Sequence, residues 1–212
     1  MADILDYKKE YKALYGPKKV PALIEIPEIN FVAVDGKGNP NDKDGEYHKA
    51  IELLYSIQYT IKMSKNGNKI PEGYFDYVVP PLEGLWWFEN NEKIKPADKS
   101  KFIWTSMIRL PEYVTKDILQ WACTEVKNKK KIGTEKAKYI KMREGLCVQC
   151  MHIGSFDEEG ETIKLIDKFI EENNLINNIN AKRKHHEIYL SDPRKADAAK
   201  MKTILRIPVI KR

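Results

Sequence analysis

Apolar and polar positions along the chain predict two similar runs of elements. Asn30 to Asp35 is a short apolar run broken by Gly36-Lys37-Gly38-Asn39-Pro40-Asn41, so it reads as a strand closed by a turn. From about Asp44 the period lengthens, and Tyr47, Ala50, Ile51, Leu54, Ile57 and Ile61 fall on one helical stripe. Tyr55 and Tyr59, four residues apart, flank it. Tyr74 to Val79 and Glu83 to Phe88 return to strand spacing, joined through Pro80-Pro81, and a third strand runs from Lys101 to Arg109 before Pro111. Thr115 can cap a second helix carrying Ile118, Leu119, Ala122 and Val126.

The C-terminal half returns to the same order. Cys147 to Ile153 predicts a strand, and Asp157 is expected to cap a helix with the stripe Ile163, Ile166 and Ile170, its acidic start suiting the helix dipole. Strands His185 to Leu190 and Thr203 to Ile210 follow, and Pro208 predicts that the last lies at a sheet edge. Strand, helix, strand, strand therefore occurs twice, over half-repeats of about 30–109 and 145–212 within one domain of residues 1–212. The expected fold class is α+β: two such units in a pseudo-twofold arrangement, with antiparallel sheet around a central ligand cleft.

Alternation also isolates a candidate site. In Lys184-His185-His186-Glu187-Ile188-Tyr189-Leu190, closed by Ser191-Asp192-Pro193, strand geometry sets His185, Glu187 and Tyr189 on one face and His186, Ile188 and Leu190 on the other. The Ile188 side would pack on helices, leaving an imidazole, an acid and a phenol on the opposite face. A carboxylate aimed into a concave surface needs a proton, a cation or a ligand. Periodicity alone is equally met by a solvated Glu187 on a wet sheet face. A second concentration is Pro80-Pro81-Leu82-Glu83-Gly84-Leu85-Trp86-Trp87-Phe88, where adjacent tryptophans point to opposite faces and Gly84 marks a bulge or a close backbone approach. With Tyr77, Trp104, Met107, Tyr55 and Tyr59 these rings can build an aromatic box, although core packing accounts for each ring taken singly. Rings and a carboxylate together suit a flat, apolar and even cationic ligand.

Charge, cysteines and length narrow the function classes. The net charge of +6 over 212 residues is concentrated in Lys127 to Arg143, where eight of seventeen residues are basic, and in Lys182-Arg183-Lys184. No helix-turn-helix or RNP-type pattern accompanies it, so direct nucleic-acid binding is not expected and a solvated basic surface is. No apolar run approaches the roughly 20 residues that span a bilayer, and the N-terminus carries no signal-peptide pattern, which predicts a cytoplasmic protein without a membrane partner. Cys147-Val148-Gln149-Cys150 has half of a zinc spacing, but no second pair exists and strand geometry turns the thiols apart. His185-His186 likewise splits across two faces. Neither a metal nor another cofactor is expected, and no serine or cysteine lies in a nucleophile context.

Three blocks carry a resemblance. Pro80 to Trp87, Gly145-Leu146-Cys147-Val148-Gln149-Cys150-Met151-His152-Ile153-Gly154 and His185 to Arg194 followed by Lys202-Thr203-Ile204-Leu205-Arg206 resemble the gyrase-inhibitor-like (GyrI-like) small-molecule-binding proteins. Phe31 to Asn41 and Tyr74 to Val79 are similar to the stand-alone branch of that family. The same module serves AraC-type and MerR-type regulators as an effector-binding domain; with only about thirty residues before the first strand, a DNA-binding domain is not expected here. The resemblance implies a cleft for bulky aromatic, in some cases cationic, compounds, with the Glu-x-Tyr glutamate, Glu187, pointing into it. Some stand-alone members hydrolyse cyclopropane-bearing DNA-alkylating natural products, which extends to this chain as a hydrolase expectation. Glu187 would then activate water and Tyr189 would hydrogen-bond the substrate carbonyl, while Trp86, Trp87, Tyr77, Trp104, Met107, Tyr55, Tyr59 and His185 bind the ligand. A sequestering or sensing module without chemistry, and a protein-interaction protein of the gyrase-inhibitor type docking through Lys127 to Arg143, are the alternatives.

Overall fold

The computed structural model describes residues 4–67, 69–88, 99–192 and 196–212, so Pro193 and Arg194 of the expected C-terminal turn lie outside the described residues. Two short helices, α1 (Tyr7–Glu10) and α2 (Lys12–Tyr15), precede β1 (Ala22–Lys37) and α3 (Glu46–Lys62). Then come β2 (Leu82–Trp87), β3 (Ile103–Arg109), α4 (Lys116–Lys130) and β4 (Lys138–Ile153). The chain continues through α5 (Glu159–Glu172), β5 (Leu175–Asn177), β6 (His185–Tyr189) and β7 (Lys202–Lys211). The fold is α+β, and every strand pair within and between the halves is antiparallel.

Pairing shows the pseudo-twofold. In the first unit β3 lies between β1 and β2, and in the second β7 lies between β4 and β6. The units join twice through equivalent strands, β1 to β4 and β2 to β6, so the ring β4-β1-β3-β2-β6-β7 closes through β4–β7. Alternation assigns the two faces. Phe31, Ala33, Met107, Cys147, Ile188 and Ile204 fill the inside together with Tyr7, Leu14 and Tyr15 of the N-terminal helices. Outside, Val32, Val34, Trp86, Trp104 and Ile108 pack under α3 and α4. Val148, Cys150, Leu205 and Ile207 pack under Ile166 and Ile170 of α5. Gly36 lets the Trp104 ring lie against β1, since a Cβ there would sit 2.2 Å from it.

The inside of the ring also holds buried charge. Arg206 donates from Nη1 to Glu144 Oε2 (3.0 Å) and from Nη2 to Gln149 Oε1 and the Leu14 carbonyl, both at 3.1 Å. His186 lies between Glu144 (Nδ1–Oε2, 3.0 Å) and Glu83 (Nε2–Oε2, 2.9 Å), at orientations that make these charge pairs rather than well-aimed hydrogen bonds. Tyr15 donates its hydroxyl to Glu83 (3.3 Å), which ties α2 to β2. His186 and Arg206 thus face Glu83 and Glu144 within the barrel, and Arg109 pairs with Glu112 under the rings of Tyr7 and Tyr11, since buried charges must be paired.

Several expectations need correction. Tyr74 to Val79 forms no strand; Tyr77 makes one isolated bridge to Leu5, and its side chain is consumed by the core, its hydroxyl donating to Gln58. The cap of the α5 turn is Ser155, in a reciprocal box with Glu158, because Asp157 already lies inside the 3₁₀ turn Phe156–Glu158. The last strand is not at an edge: β7 runs between β4 and β6. Pro208 is tolerated because the β6 pairing ends at Arg206 and the β5 pairing starts at Val209, so no ladder partner is missed there. The Ile188 side does face a core, but the helices it meets are the N-terminal pair, while α3 and α5 stand on the Glu187 side.

Candidate functional site

Strand β6 presents His185, Glu187 and Tyr189 to the outer face, opposite Trp86, Gly84 and Leu82 of β2. Helices α3 and α4 cover the sheet on one side of this seam and α5 on the other, so the seam is the floor of a cleft between the two helical layers. The side chains are tied in sequence. Trp86 Nε1 donates to Tyr189 Oη (2.8 Å), Tyr189 donates to Glu187 Oε2 (2.8 Å), and His185 Nε2 lies 3.1 Å from Glu187 Oε1. Gly84 makes this chain of contacts possible: a Cβ on it would come within 2.7 Å of Trp86 Nε1 and 3.0 Å of Tyr189 Oη. The expected close approach at Gly84 is thus between strand backbone and site side chains.

The other wall comes from α5. His152 reaches from β4 to the Ser155 carbonyl and Thr162 Oγ1, both at 2.9 Å, and the Ser155–Glu158 box fixes the helix start. The first residue of α5, Glu159, is thereby aimed at β6, and donor atoms of Glu159, His185 and Glu187 all lie within 4.8 Å of one another. Burial, and then the charge of Glu187, push the Glu159 carboxyl well above its ordinary range. Burial and the same neighbouring charge raise the Tyr189 phenol, which stays a donor. Tyr47 of α3 packs against Trp86 (5.4 Å between ring centroids) and edge-on to Trp104 (5.1 Å), and burial raises its phenol as well. Phe156 stands edge-on to Tyr189 at 5.7 Å.

Of the residues singled out in the sequence, Glu187, Tyr189, His185 and Trp86 come together here, with Trp104 behind Tyr47. Trp87 turns to the other face, where Lys184 Nζ lies 4.8 Å over its ring. Tyr77 and Met107 are wholly buried on the inner side of the barrel, away from this cleft. Tyr55 packs against the core under α3, and Tyr59 is half exposed. Sequence reasoning missed Glu159, Tyr47 and Phe156. Glu159 sits in the acidic run Asp157-Glu158-Glu159, which a helix start explains without a site, and Tyr47 lies on a stripe that reads as core.

Six of the eight basic residues of the stretch face a carboxylate. Lys127 pairs with Glu135 (2.8 Å), Lys129 with Glu125 (2.6 Å), Lys136 with Glu46 (3.3 Å) and Lys138 with Asp35. Lys141 lies 3.8 Å from Glu28 and Arg143 3.5 Å from Glu25, across the β1–β4 ladder. Cys147 and Cys150 face opposite sides of β4 as free thiols. No helix among the described residues is long and apolar enough to cross a membrane.

Comparison with known proteins agrees with this fold. A solved structure described as a hydrolase from Listeria innocua is 48% identical, with a TM-score of 0.88 over 97% of this chain and 100% of that one. A second hydrolase structure from Listeria innocua is 50% identical, with a TM-score of 0.91 over 98% and 100%. The EcmrR C-terminal domain shares the fold at 15% identity, with a TM-score of 0.53 over 91% of this chain and 98% of that one. No curated protein sequence matches the chain. The model of the GyrI-like small molecule binding domain matches residues 20–210, and the chain belongs to that family.

Proposed function

We propose that the protein binds bulky, flat aromatic compounds in the cleft over β2 and β6 and hydrolyses those that carry a strained cyclopropane, disarming DNA-alkylating agents. The observation that carries this reading is the pair of facing carboxyls, Glu159 and Glu187, with Glu159 raised above its ordinary range by burial and by its neighbour, walled by Trp86, Tyr47 and Phe156. A carboxyl raised by its surroundings beside a second carboxyl is the arrangement that divides acid and base roles between them. The hydrolase description of the Listeria innocua structures supports the same class of reaction.

In a cyclopropane fused to a cyclohexadienone, water attacks the strained methylene and the ring C–C bond breaks. Its electron pair passes through the conjugated ring to the carbonyl oxygen, which takes a proton; the net change is addition of one water. Glu187 accepts the proton of the attacking water. Tyr189 commits its own proton to Glu187 and is itself held by Trp86, so it orients the base rather than the substrate carbonyl. Glu159, whose carboxyl burial and Glu187 push above the ordinary range, supplies the proton that the carbonyl oxygen takes up.

Incubation with a duocarmycin-type cyclopropane compound, followed by liquid chromatography and mass spectrometry, tests this directly. The native protein should add one water per molecule catalytically, and Glu187→Gln should bind the compound yet lose about 10²- to 10⁴-fold in turnover. Equal turnover in Glu187→Gln removes Glu187 as the base. Saturable binding without turnover in the native protein makes it a sequestering module of the same fold.

A further inference from the structure

We infer that Glu159, His185 and Glu187 form a binding site for a first-row divalent metal ion of the zinc type. Sequence spacing does not suggest it, because His185-His186 splits across the strand and the third donor lies on another element. The structure instead joins an i, i+2 pair on one face of β6 to the first residue of α5.

Four observations converge. One imidazole nitrogen and two carboxylate oxygens lie within 4.8 Å of one another. Bonds of about 2.0 to 2.2 Å to one ion need donors roughly 3 Å apart, so side-chain rotation of about an ångström closes the set. Glu159 Oε1 is buried with no hydrogen-bond partner among the described residues, and such an atom calls for a ligand. Behind the donors, Tyr189 holds Glu187 Oε2 and Trp86 holds Tyr189, so Glu187 Oε1 is the oxygen left facing His185 Nε2. Partners of that kind orient metal-binding carboxylates in other proteins. Both supporting elements are rigid, one inside the sheet and one pinned by the Ser155–Glu158 box.

Donor chemistry chooses the ion. A nitrogen with two carboxylates suits zinc or a neighbouring transition metal, whereas calcium and magnesium prefer oxygen alone. Three protein donors leave coordination positions open toward the cleft. An ion here would occupy the Glu187 lone pair that the proposed reaction needs, so metal-loaded protein is the inactive form; that last clause alone rests on the hydrolase reading.

Zinc chloride titrated by calorimetry into chelator-treated, full-length protein should give one saturable site per chain. Glu159→Gln and His185→Asn should each weaken it by at least about 10-fold. Zinc-edge X-ray absorption on the native protein decides the matter even if a variant does not fold. It should show nitrogen and oxygen donors at about 2.0 to 2.1 Å, imidazole scattering and no sulfur. Absence of saturable uptake, unchanged affinity in both variants, or sulfur scattering overturns the inference. Saturable zinc uptake at these residues by a protein whose chelator-treated, metal-free form leaves the cyclopropane compound intact overturns only the hydrolase reading, and turnover by the metal-free form without any zinc uptake on titration overturns only the metal site.

Discussion

At the residue scale, Glu159 is the most consequential side chain, because its position costs stability that its chemistry requires. Its carboxyl is raised above the ordinary value of 4.5 by burial and by Glu187. The folded protein therefore binds this proton more tightly than the unfolded chain, so the associated stability is complete below that ordinary value and declines as pH rises through the raised one. Glu159→Gln keeps the shape of the neutral acid and removes the titration. Its melting temperature should exceed that of the native protein by a margin that widens as pH rises above 4.5. A margin that stays flat or narrows in thermal melts would show that Glu159 ionises freely. Glu187 itself was legible in the sequence because strand alternation singles out a carboxylate among apolar neighbours. Glu159 was not, because a glutamate in the first turn of a helix is already accounted for by the helix dipole.

At the element scale, β2 and β6 make the site by what one omits and the other supplies. Gly84 stands opposite Glu187, and the space above it is taken by the Trp86–Tyr189 hydrogen bond. Gly84→Ala should drive the indole and the phenol apart and lower turnover and ligand affinity together. Its stability should fall by about 1 to 3 kcal/mol, the usual cost of forcing an extra methyl into a packed place. Unchanged tryptophan fluorescence and unchanged binding in that variant would contradict the close approach. Strong periodicity made β1, α3, β3, α4 and β6 readable, whereas Tyr74 to Val79 misled because its aromatic, β-branched composition serves core burial of Tyr77 rather than a ladder. The three-residue β5 and the four-residue α1 and α2 are too short to show a period at all. Pro208 misled for a topological reason: its missing donor falls in the gap between the β6 and β5 pairings, which no local pattern reports.

At the scale of the whole molecule, the charge cluster inside the ring links stability to pH. Burial disfavours the charged His186, but Glu144 and Glu83 outweigh it and raise the imidazole from 6.5 to about 9. Glu144 is likewise disfavoured by burial yet held at about 2 by His186 and Arg206. The raised His186 contributes stability that is complete below 6.5 and is lost as pH rises through about 9. The lowered Glu144 contributes stability that is complete above 4.5 and is lost as pH falls through about 2. Urea midpoints should therefore be highest between these limits and fall on both sides, and His186→Gln should flatten the alkaline fall while lowering the plateau. An alkaline limb identical in that variant would place the titrating group elsewhere.

Closure of the ring through β4–β7 has a consequence for how the protein comes into being. The strand that carries Glu187 is held on one side by β2, from the first unit, and on the other by β7, the last strand in chain order. The second unit alone pairs only the β7 side of β6, so the cleft is finished only when β2, far away in sequence, meets the other side, a pairing whose loop-closure cost makes such topologies slow to fold. A chain interrupted before β7 would contain every residue of the site and still lack the site, so activity during refolding should appear with the slowest structural phase and not before it.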